Sequence, residues 1–571
     1  MPSKQFARGI FAGFGTIENP FQNPNGMEEN LRLIDDHLGP YTRMAPVQPG
    51  TAFPNDPVNG EGQIYTDGTW AVFNGDAWRM YPALKGLSFS QLDGSIWINS
   101  GSAWRLAGPV RVVDSIEELR NLESEFHARA FVTGYFKSGD GGGGDYFRDL
   151  DDQTSNENGC TVIVAHDGVR WKLRDGYQIS SKQCGVFPDQ SAAWNRQQMQ
   201  NGINAGFGKF LFECKNTGDI IQIDGLINVP LQMEIESNVR WAGTIQQTAP
   251  NQPIFVIGAA ASDVTIDKMH LSYRDTPVAG ADAIRLNGCF AFAAHYMWIS
   301  SCWNGVYSVQ GGNHEFIGLR IFSYENCAML LSSAADVNVT QFRFHAGDSV
   351  RGRNGGIRLE GPCEACTFSQ GDITLGQYGI TTQDFGNNSR GAAPYYNRFS
   401  QVYFDSAKIY PAYLQSLCDS DFVACWFASA GHDEAVGFGS ALANPGAFLS
   451  KCIDVRFIGG NFENNGGAGA QIYADCRRIS FSAGATFKHN QYSRSVDAEA
   501  IQFLPNASNW NVIGCHFERD PDQITYRQRF SVATGAGASQ AFNVKDNLLG
   551  GCDLNINTSA PTGTFKIADN F

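Results

Sequence analysis

The chain has 571 residues, of which 63 are Gly and 40 are Phe while only 17 % are charged, a balance that suits tight turns around a stacked aromatic core and not a helical protein. Its formal net charge of −15 argues against a nucleic-acid partner and gives no attraction to an anionic membrane surface. No segment reaches transmembrane length, and the chain is long enough for several domains.

Met1 to Gly15 lacks a continuous apolar run and an A-x-A cleavage site, so no secretory signal is expected and the protein should leave its cell by another route, such as lysis. Residues 1–45 form a polar N-terminal segment with one amphipathic stretch, Met27 to His37, predicted as a short helix ended by Gly39-Pro40. Residues 46–108 carry a degenerate repeat. Ile64-Tyr65, Asp67-Gly68, Trp70, Asn74-Gly75 and Trp78-Arg79 are echoed by Asp93-Gly94, Ile96-Trp97, Asn99, Gly101 and Trp104-Arg105. The pattern reads as successive β-hairpins whose tryptophans form a small core, with carbohydrate binding as the competing use of those rings. Residues 109–180 form a neck region. It holds a predicted helix from Ser115 to Phe126 and the glycine run from Gly139 to Gly144, read as a turn because no helix with Lys-Ser/Thr comes after it to make a phosphate loop.

From 181 to 551 the pattern changes. Asp189 is the expected N-cap of a helix from Gln190 to Ala205, with Trp194, Met199 and Ile203 on one side, placed to cover the open end of a stack of strands. A six-residue motif then recurs: Phe316, Leu319, Ile321; Val339, Phe342, Phe344; Phe399, Val402, Phe404; Phe422, Cys425, Phe427; Phe457, Gly460, Phe462; Val512, Cys515, Phe517; Val544, Asn547, Leu549. Looser copies end at Leu271, Ile299, Ile373 and Phe487, and successive copies lie 22 to 35 residues apart. Each copy is accompanied by a second short strand of alternating pattern, as in Ala283 to Leu286, Gly356 to Leu359 and Ala447 to Leu449. Strands without helical periodicity, repeated at uneven length, predict a mainly β protein built as a right-handed parallel β-helix. A β-sandwich or propeller fits such uneven turns poorly. Residues 552–571 are a short polar C-terminal cap.

The 14 cysteines do not read as disulfides or metal ligands. Cys289, Cys363, Cys418, Cys452 and Cys476 each come three or four residues after the second strand of their coil, forming a column of small buried hydrophobes. Cys363 and Cys366 make a lone CxxC with no second pair at zinc-ribbon spacing. No metal or cofactor is expected, and reduced thiols imply folding in a reducing cytoplasm.

Several short motifs stand in a characteristic order: Gly142-Gly-Gly-Asp-Tyr-Phe147, Asn158-Gly-Cys-Thr-Val162, Arg170-Trp-Lys-Leu173, then Gln183-Cys-Gly-Val186 leading into a helix that ends Gly202-Ile-Asn-Ala-Gly206. Over about residues 110 to 550 this order, with solenoid coils after it, resembles bacteriophage tailspikes, whose pectate-lyase-like β-helices act as capsule depolymerases. In many relatives the helix lead-in has a fuller Gly-Asp-Gly-x-x-Asp-Asp motif; here it is Gly185-Val-Phe-Pro-Asp189-Gln, so the motif is only partly kept. The resemblance implies a homotrimer on the virion tail, joined to a tail or baseplate protein through its N-terminal region. It further implies a bacterial surface polysaccharide, capsule or O-antigen, as ligand, and folding in the host cytoplasm with release on lysis.

If the motif residues face inward, those just before each closing residue face outward: His270, Trp298, Arg320, Arg343, Asp372, Tyr403, Trp426, Asn461, Thr486 and His516. Aromatic rings stack on sugars, arginines bind carboxylates or hydroxyls, and a carboxylate among them can do acid–base work. Trp298, Arg320, Arg343, Tyr403 and Trp426 are therefore the expected substrate-binding residues, with intersubunit packing as the alternative role of the column. The longest coils predict projecting loops at Ala346 to Asn354, Asp384 to Tyr395 and Ala430 to Pro445, bracketing Asp372. Nearby carboxylates are Asp348, Glu360, Asp384, Asp405, Asp433 and Glu434. Glycoside hydrolysis needs two of them; Asp372 and Glu360 come first as catalytic residues and Asp405 third, with the assignment of acid and base open. A lyase, with Arg343, Tyr403 or His345 as base, and a non-catalytic receptor-binding fibre are the alternatives. A cellular pectinase is disfavoured by the missing signal.

Overall fold

The computed structural model describes residues 41–571 except 86, 93–94, 108–109, 123, 125–126, 175–177, 217, 242, 349, 386–391, 433–441, 474, 493–497, 520–527, 535–540 and 556–564. The helix expected at Met27–His37 lies outside the described residues, as do Asp433, Glu434 and much of the last two expected loops. The chain divides after Asp175 into two compact units.

In the first unit the sequence repeat becomes two three-stranded antiparallel meanders, Glu61–Ile64, Trp70–Phe73, Trp78–Tyr81 and Ser88–Gln91, Ile96–Asn99, Trp104–Ala107. The strand Tyr41–Thr42 pairs in parallel with the first strand of each and joins them into one seven-stranded sheet. Trp70 stacks on Tyr81 with ring centroids 4.4 Å apart, and Phe89 meets Trp70 and Trp104 edge-on at 5.4 and 5.1 Å. The indole N–H groups of Trp70 and Trp104 donate to the carbonyls of Pro82 and Thr69 at 3.1 and 3.0 Å, so these rings are satisfied core residues.

A second sheet runs Val162–Val164, Arg170–Leu173, Gly144–Asp149, Arg129–Val132, Arg111–Val113 in spatial order. The helix beside it is Ile116–Asn121, shorter than expected, and Ser115 caps it by accepting from the Glu118 N–H. The glycine run is a turn wound around one carboxylate: Asp140 accepts from the N–H groups of Tyr135, Phe136, Lys137 and Gly142 at 2.8–3.1 Å. At Gly143 a Cβ would lie 2.2 Å from the Val132 carbonyl oxygen, which is why only glycine fits there.

The second unit is a parallel β-helix. Among the described residues its strands form a 25-stranded and a 13-stranded sheet, and every pairing within them is parallel. One coil shows the plan: Gly312–Ile317 and Arg320–Phe322 belong to the long sheet and Cys327–Ser332 to the other, each paired with its counterpart in the coils before and after. The recurring motif spans the corner between the first two of these strands. Phe316, Leu319 and Ile321 are fully buried. The covering helix is Ala192–Asn204, and its N-cap is Ser191, whose hydroxyl accepts from the Trp194 N–H at 3.2 Å, not Asp189. Met199 and Ile203 are on its buried face.

That corner requires left-handed backbone. Tyr296, Gln341, Gln370, Gln401 and Ala424 have φ of 54°, 55°, 54°, 55° and 51°, where other copies use Gly318, Gly459 and Gly514. A side chain in this region costs about 1–2 kcal/mol. The amides so turned donate to the next coil instead of their own: Tyr296 N–H to Ile317 O at 2.7 Å, Gly318 to Thr340 at 3.0 Å, Ala424 to Ile458 at 2.9 Å. Coil stacking therefore offsets the strain.

Inside, identical positions pile up. Phe399, Phe422, Phe457 and Phe481 stack at 4.7, 5.0 and 4.9 Å, and Phe404, Phe427, Phe462 and Phe487 at 5.3, 4.8 and 4.5 Å. All 14 cysteines are buried free thiols. Burial pushes Cys289 up to about 11 and Cys425 up to about 12.

Truncating the centre of a stack, Phe457→Ala, should cost about 3–5 kcal/mol in chemical denaturation. A second expectation concerns His314, 1 % exposed, with neither ring nitrogen hydrogen-bonded and burial lowering it to about 4. As pH falls from 6.5 towards 4 the unfolded chain takes up this proton first, so stability drops across that window. His314→Leu should remove up to about 3 kcal/mol of that slope, read as the wild-type-minus-variant difference in unfolding free energy against pH.

Candidate functional site

The closing residue of each motif, such as Ile321, Phe344, Ile373, Phe404 and Phe427, is buried, whether it lies in a short strand or near the end of an eight-residue one, and the residue before each of these turns outward. Because the pairing is in register, the residue before each buried one stands over its neighbour: His270 on Trp298, Trp298 on Arg320, Arg320 on Arg343, Arg343 on Asp372, Asp372 on Tyr403, Tyr403 on Trp426, Trp426 on Asn461. The fold thus brings Arg320, Arg343, Asp372, Tyr403 and Trp426 into one open groove of about 830 Å³, with Asp405 also on its wall. Trp298 sits one coil beyond Arg320.

Asp372 occupies the middle. Burial raises its carboxyl above the usual range, the Arg343 guanidinium opposes this, and the Asp405 carboxylate adds to it. Arg343 Nε lies 3.4 Å from Asp372 Oδ2 while its own side chain is 57 % exposed, a long contact that leaves most of the guanidinium free to meet a ligand. Asp405 pairs in register with Thr374, so it is the diagonal neighbour of Asp372 on the same face, and the Ser406 hydroxyl donates to it at 3.2 Å.

Tyr403, 49 % exposed, and Trp426 lie 5.3 Å apart with planes tilted by 56°. The Trp426 indole N–H is buried and has no acceptor among the described residues. Beyond Arg320 the surface turns aromatic: Trp298 meets Trp241 edge-on at 5.5 Å and Phe322 at 5.6 Å, and the Arg320 guanidinium lies 4.7 Å from the Trp241 ring centroid.

Glu360 is placed elsewhere. It ends the strand Gly355–Glu360 of the 13-stranded sheet and accepts from Arg358 Nε at 2.5 Å, so it does not share a face with Asp372. Asp348 and Asp384 are engaged with Arg351 at 3.2 Å and Lys451 at 2.8 Å. The Cys363 and Cys366 thiols donate to backbone carbonyls, including Glu360 O at 3.2 Å and Glu364 O at 3.5 Å.

Sequence reasoning passed over Gln341, Gln370, Gln401 and Trp241. The three glutamines sit at the left-handed corner of successive coils and line the groove beside Asp372. A signal existed: the third residue of the motif is Gln in these three neighbouring copies and in none of the others, which have Lys268, Tyr296, Gly318, Ala424, Gly459, Gly484, Gly514 and Asp546. Gly371 has a packing reason, since a Cβ there would lie 2.0 Å from the Phe342 ring.

A family model described as a small four-stranded β-sheet domain of phage tail proteins matches residues 112–176. No curated protein matches the sequence. Among solved structures, tailspike protein 3 of bacteriophage CBA120 is similar with a TM-score of 0.52 at 14 % identity, over 94 % of this chain and 79 % of that one. The enzymatically active domain of tailspike protein 2 of the same phage gives a TM-score of 0.45 at 13 % identity, over 78 % of this chain; the match spans 62 % of that chain's length. A tailspike of Acinetobacter baumannii bacteriophage Fri1, a capsular polysaccharide depolymerase, gives 0.40 at 12 % identity, over 81 % of this chain and 75 % of that one. The likeness to tailspike protein 3 agrees with a tailspike-type parallel β-helix.

Because burial raises the Asp372 carboxyl, the folded state holds its proton more tightly than the unfolded one, and its ionised form at neutral pH opposes folding. Asp372→Asn should therefore be more stable than wild type at pH 7, with the difference shrinking as pH falls through the ordinary carboxylate range. Denaturant midpoints at the two pH values check this.

Proposed function

We propose that this protein is a phage tailspike that binds a bacterial surface polysaccharide, capsule or O-antigen, and shortens it by endoglycosidic hydrolysis with Asp372 and Asp405. The observation that carries the reading is a half-buried carboxyl with a raised pKa, set at the centre of a groove between guanidinium and aromatic side chains and diagonal to a second carboxylate. A carboxyl that keeps its proton to higher pH is suited to general acid work, so Asp372 gives its proton to the glycosidic oxygen as the bond to the anomeric carbon breaks. Asp405 takes a proton from water as the water oxygen bonds to that carbon. Diagonal neighbours on adjacent strands stand roughly 7–8 Å apart, within the spacing of inverting glycosidases, so inversion is expected. Tyr403 and Trp426 supply faces for sugar rings, and Gln341, Gln370 and Gln401 supply amides for hydroxyls. Glu360, on the other sheet beside Arg358, has no part in this chemistry.

In this reading the working form is a homotrimer held to a tail or baseplate protein through the N-terminal region. Fourteen buried free thiols support folding in the host cytoplasm, with release on lysis. A lyase is the second reading, favoured by the exposed Tyr403 hydroxyl and the Arg343 guanidinium flanking Asp372, a base and a carboxylate partner for a uronate.

Purified protein incubated with surface polysaccharides from candidate host strains should shorten one of them without generating unsaturated-uronate absorbance. Asp372→Asn and Asp405→Asn should each lower the rate by about 10²–10⁴-fold while still binding. Shortening with absorbance would establish the lyase instead, and binding without shortening would leave a non-catalytic fibre.

A further inference from the structure

On a chain with a formal net charge of −15, one end of the groove gathers guanidinium groups that no carboxylate neutralises. Several other outward arginines of the solenoid are paired, Arg456 with Asp421 at 2.5 Å, Arg478 with Asp454 at 2.6 Å and Arg358 with Glu360 at 2.5 Å. Arg320 and Arg240 instead lie over the Trp241 ring at 4.7 and 4.2 Å, and Arg240 also over Tyr296 at 4.2 Å; among the described residues neither makes an ion pair. Stacking fixes the plane of a guanidinium and leaves its in-plane N–H fork open, the geometry that binds a carboxylate in bidentate fashion. Past Asp372 the other half of the column, Tyr403, Trp426, Asn461 and Thr486, carries no charge. The groove is therefore electrostatically lopsided, with unpaired guanidinium groups on one side of its central carboxyl and, on the other, uncharged column residues beside the single carboxylate of Asp405.

We propose that the polysaccharide taken by this groove is acidic, that Arg320 with Arg240 holds the carboxylate of a sugar acid, and that neutral sugars lie over Tyr403 and Trp426. This rests on the reading of the groove as a glycan site. Arg320 and Asp372 are two coils apart, about 10 Å at the strand spacing, so the acidic sugar is bound away from the bond cut and serves recognition.

The test uses polysaccharide extracted from each strain to which the purified protein adsorbs, native and after chemical reduction of its carboxyl groups to alcohols. Binding and polymer length are measured for wild type, Arg320→Gln and, as a paired arginine on another strand column, Arg456→Gln. Wild type should bind the reduced polymer roughly ten- to hundredfold more weakly than the native one. Arg320→Gln should lose a similar factor on native polymer and little more on reduced polymer, and Arg456→Gln should behave as wild type. Equal binding of native and reduced polymer by wild type, or an equal loss on both in Arg320→Gln, would overturn the proposal, whether or not the polymer is cut. If reduction weakens binding but no polymer is ever shortened, the acidic subsite stands and the hydrolase reading falls.

Discussion

Each coil of the solenoid must lay its buried apolar side chain, a phenyl ring in the later coils, directly on that of the coil before it, and most of what the second unit can do depends on that stacking. Phenylalanines 4.5 to 5.3 Å apart allow no slippage by one residue, because a one-residue shift would turn every ring out to water. The left-handed corners tie the same register through the backbone, since their amides find acceptors on the next coil. Inward order imposes outward order. A straight file of exposed side chains, one per coil, comes from the packing of residues that never meet the solvent.

The same constraint explains what could be read from the sequence. The buried triplets give the coil, the coil gives the exposed file, and Arg343, Asp372, Tyr403 and Trp426 fall into one groove because they share a position in the motif. Features that depend on neighbours distant in sequence were harder to read. Trp241 reaches the site through a ring contact with Trp298, which no spacing rule encodes. Glu360 looks close to Asp372 along the chain, yet 12 residues are enough to round a corner and change sheets. At the covering helix, Asp189 and Ser191 both suit an N-cap, and the choice of Ser191 rests on which side chain meets the Trp194 amide.

Site and scaffold also differ in how they treat polar groups. The scaffold pairs many of them in ladders, as where Asn354 donates to Asn326, Asn326 to Asn304 and Asn304 to Asp282 at 2.6, 2.8 and 2.8 Å, although His314 in its core goes without. The groove leaves them open: the Trp426 indole N–H without an acceptor among the described residues, Arg343 mostly exposed, and Asp372 held against its preferred ionisation. Open polar groups beside a carboxyl held off its preferred charge state fit a surface that something else completes.

The buried cysteines carry a chemical consequence of their own, although Cys418, in register with Ile453, stands out of line with Cys452 and Cys476 and the expected single column is not formed. Thiols react as thiolates, and burial holds those of Cys289 and Cys425, among others, well above the pH of any natural water, with every cysteine of the chain buried. While the fold holds, thiols so buried are kept from forming or exchanging crosslinks. No disulfide joins these coils, and layers of phenyl rings hold successive ones together instead.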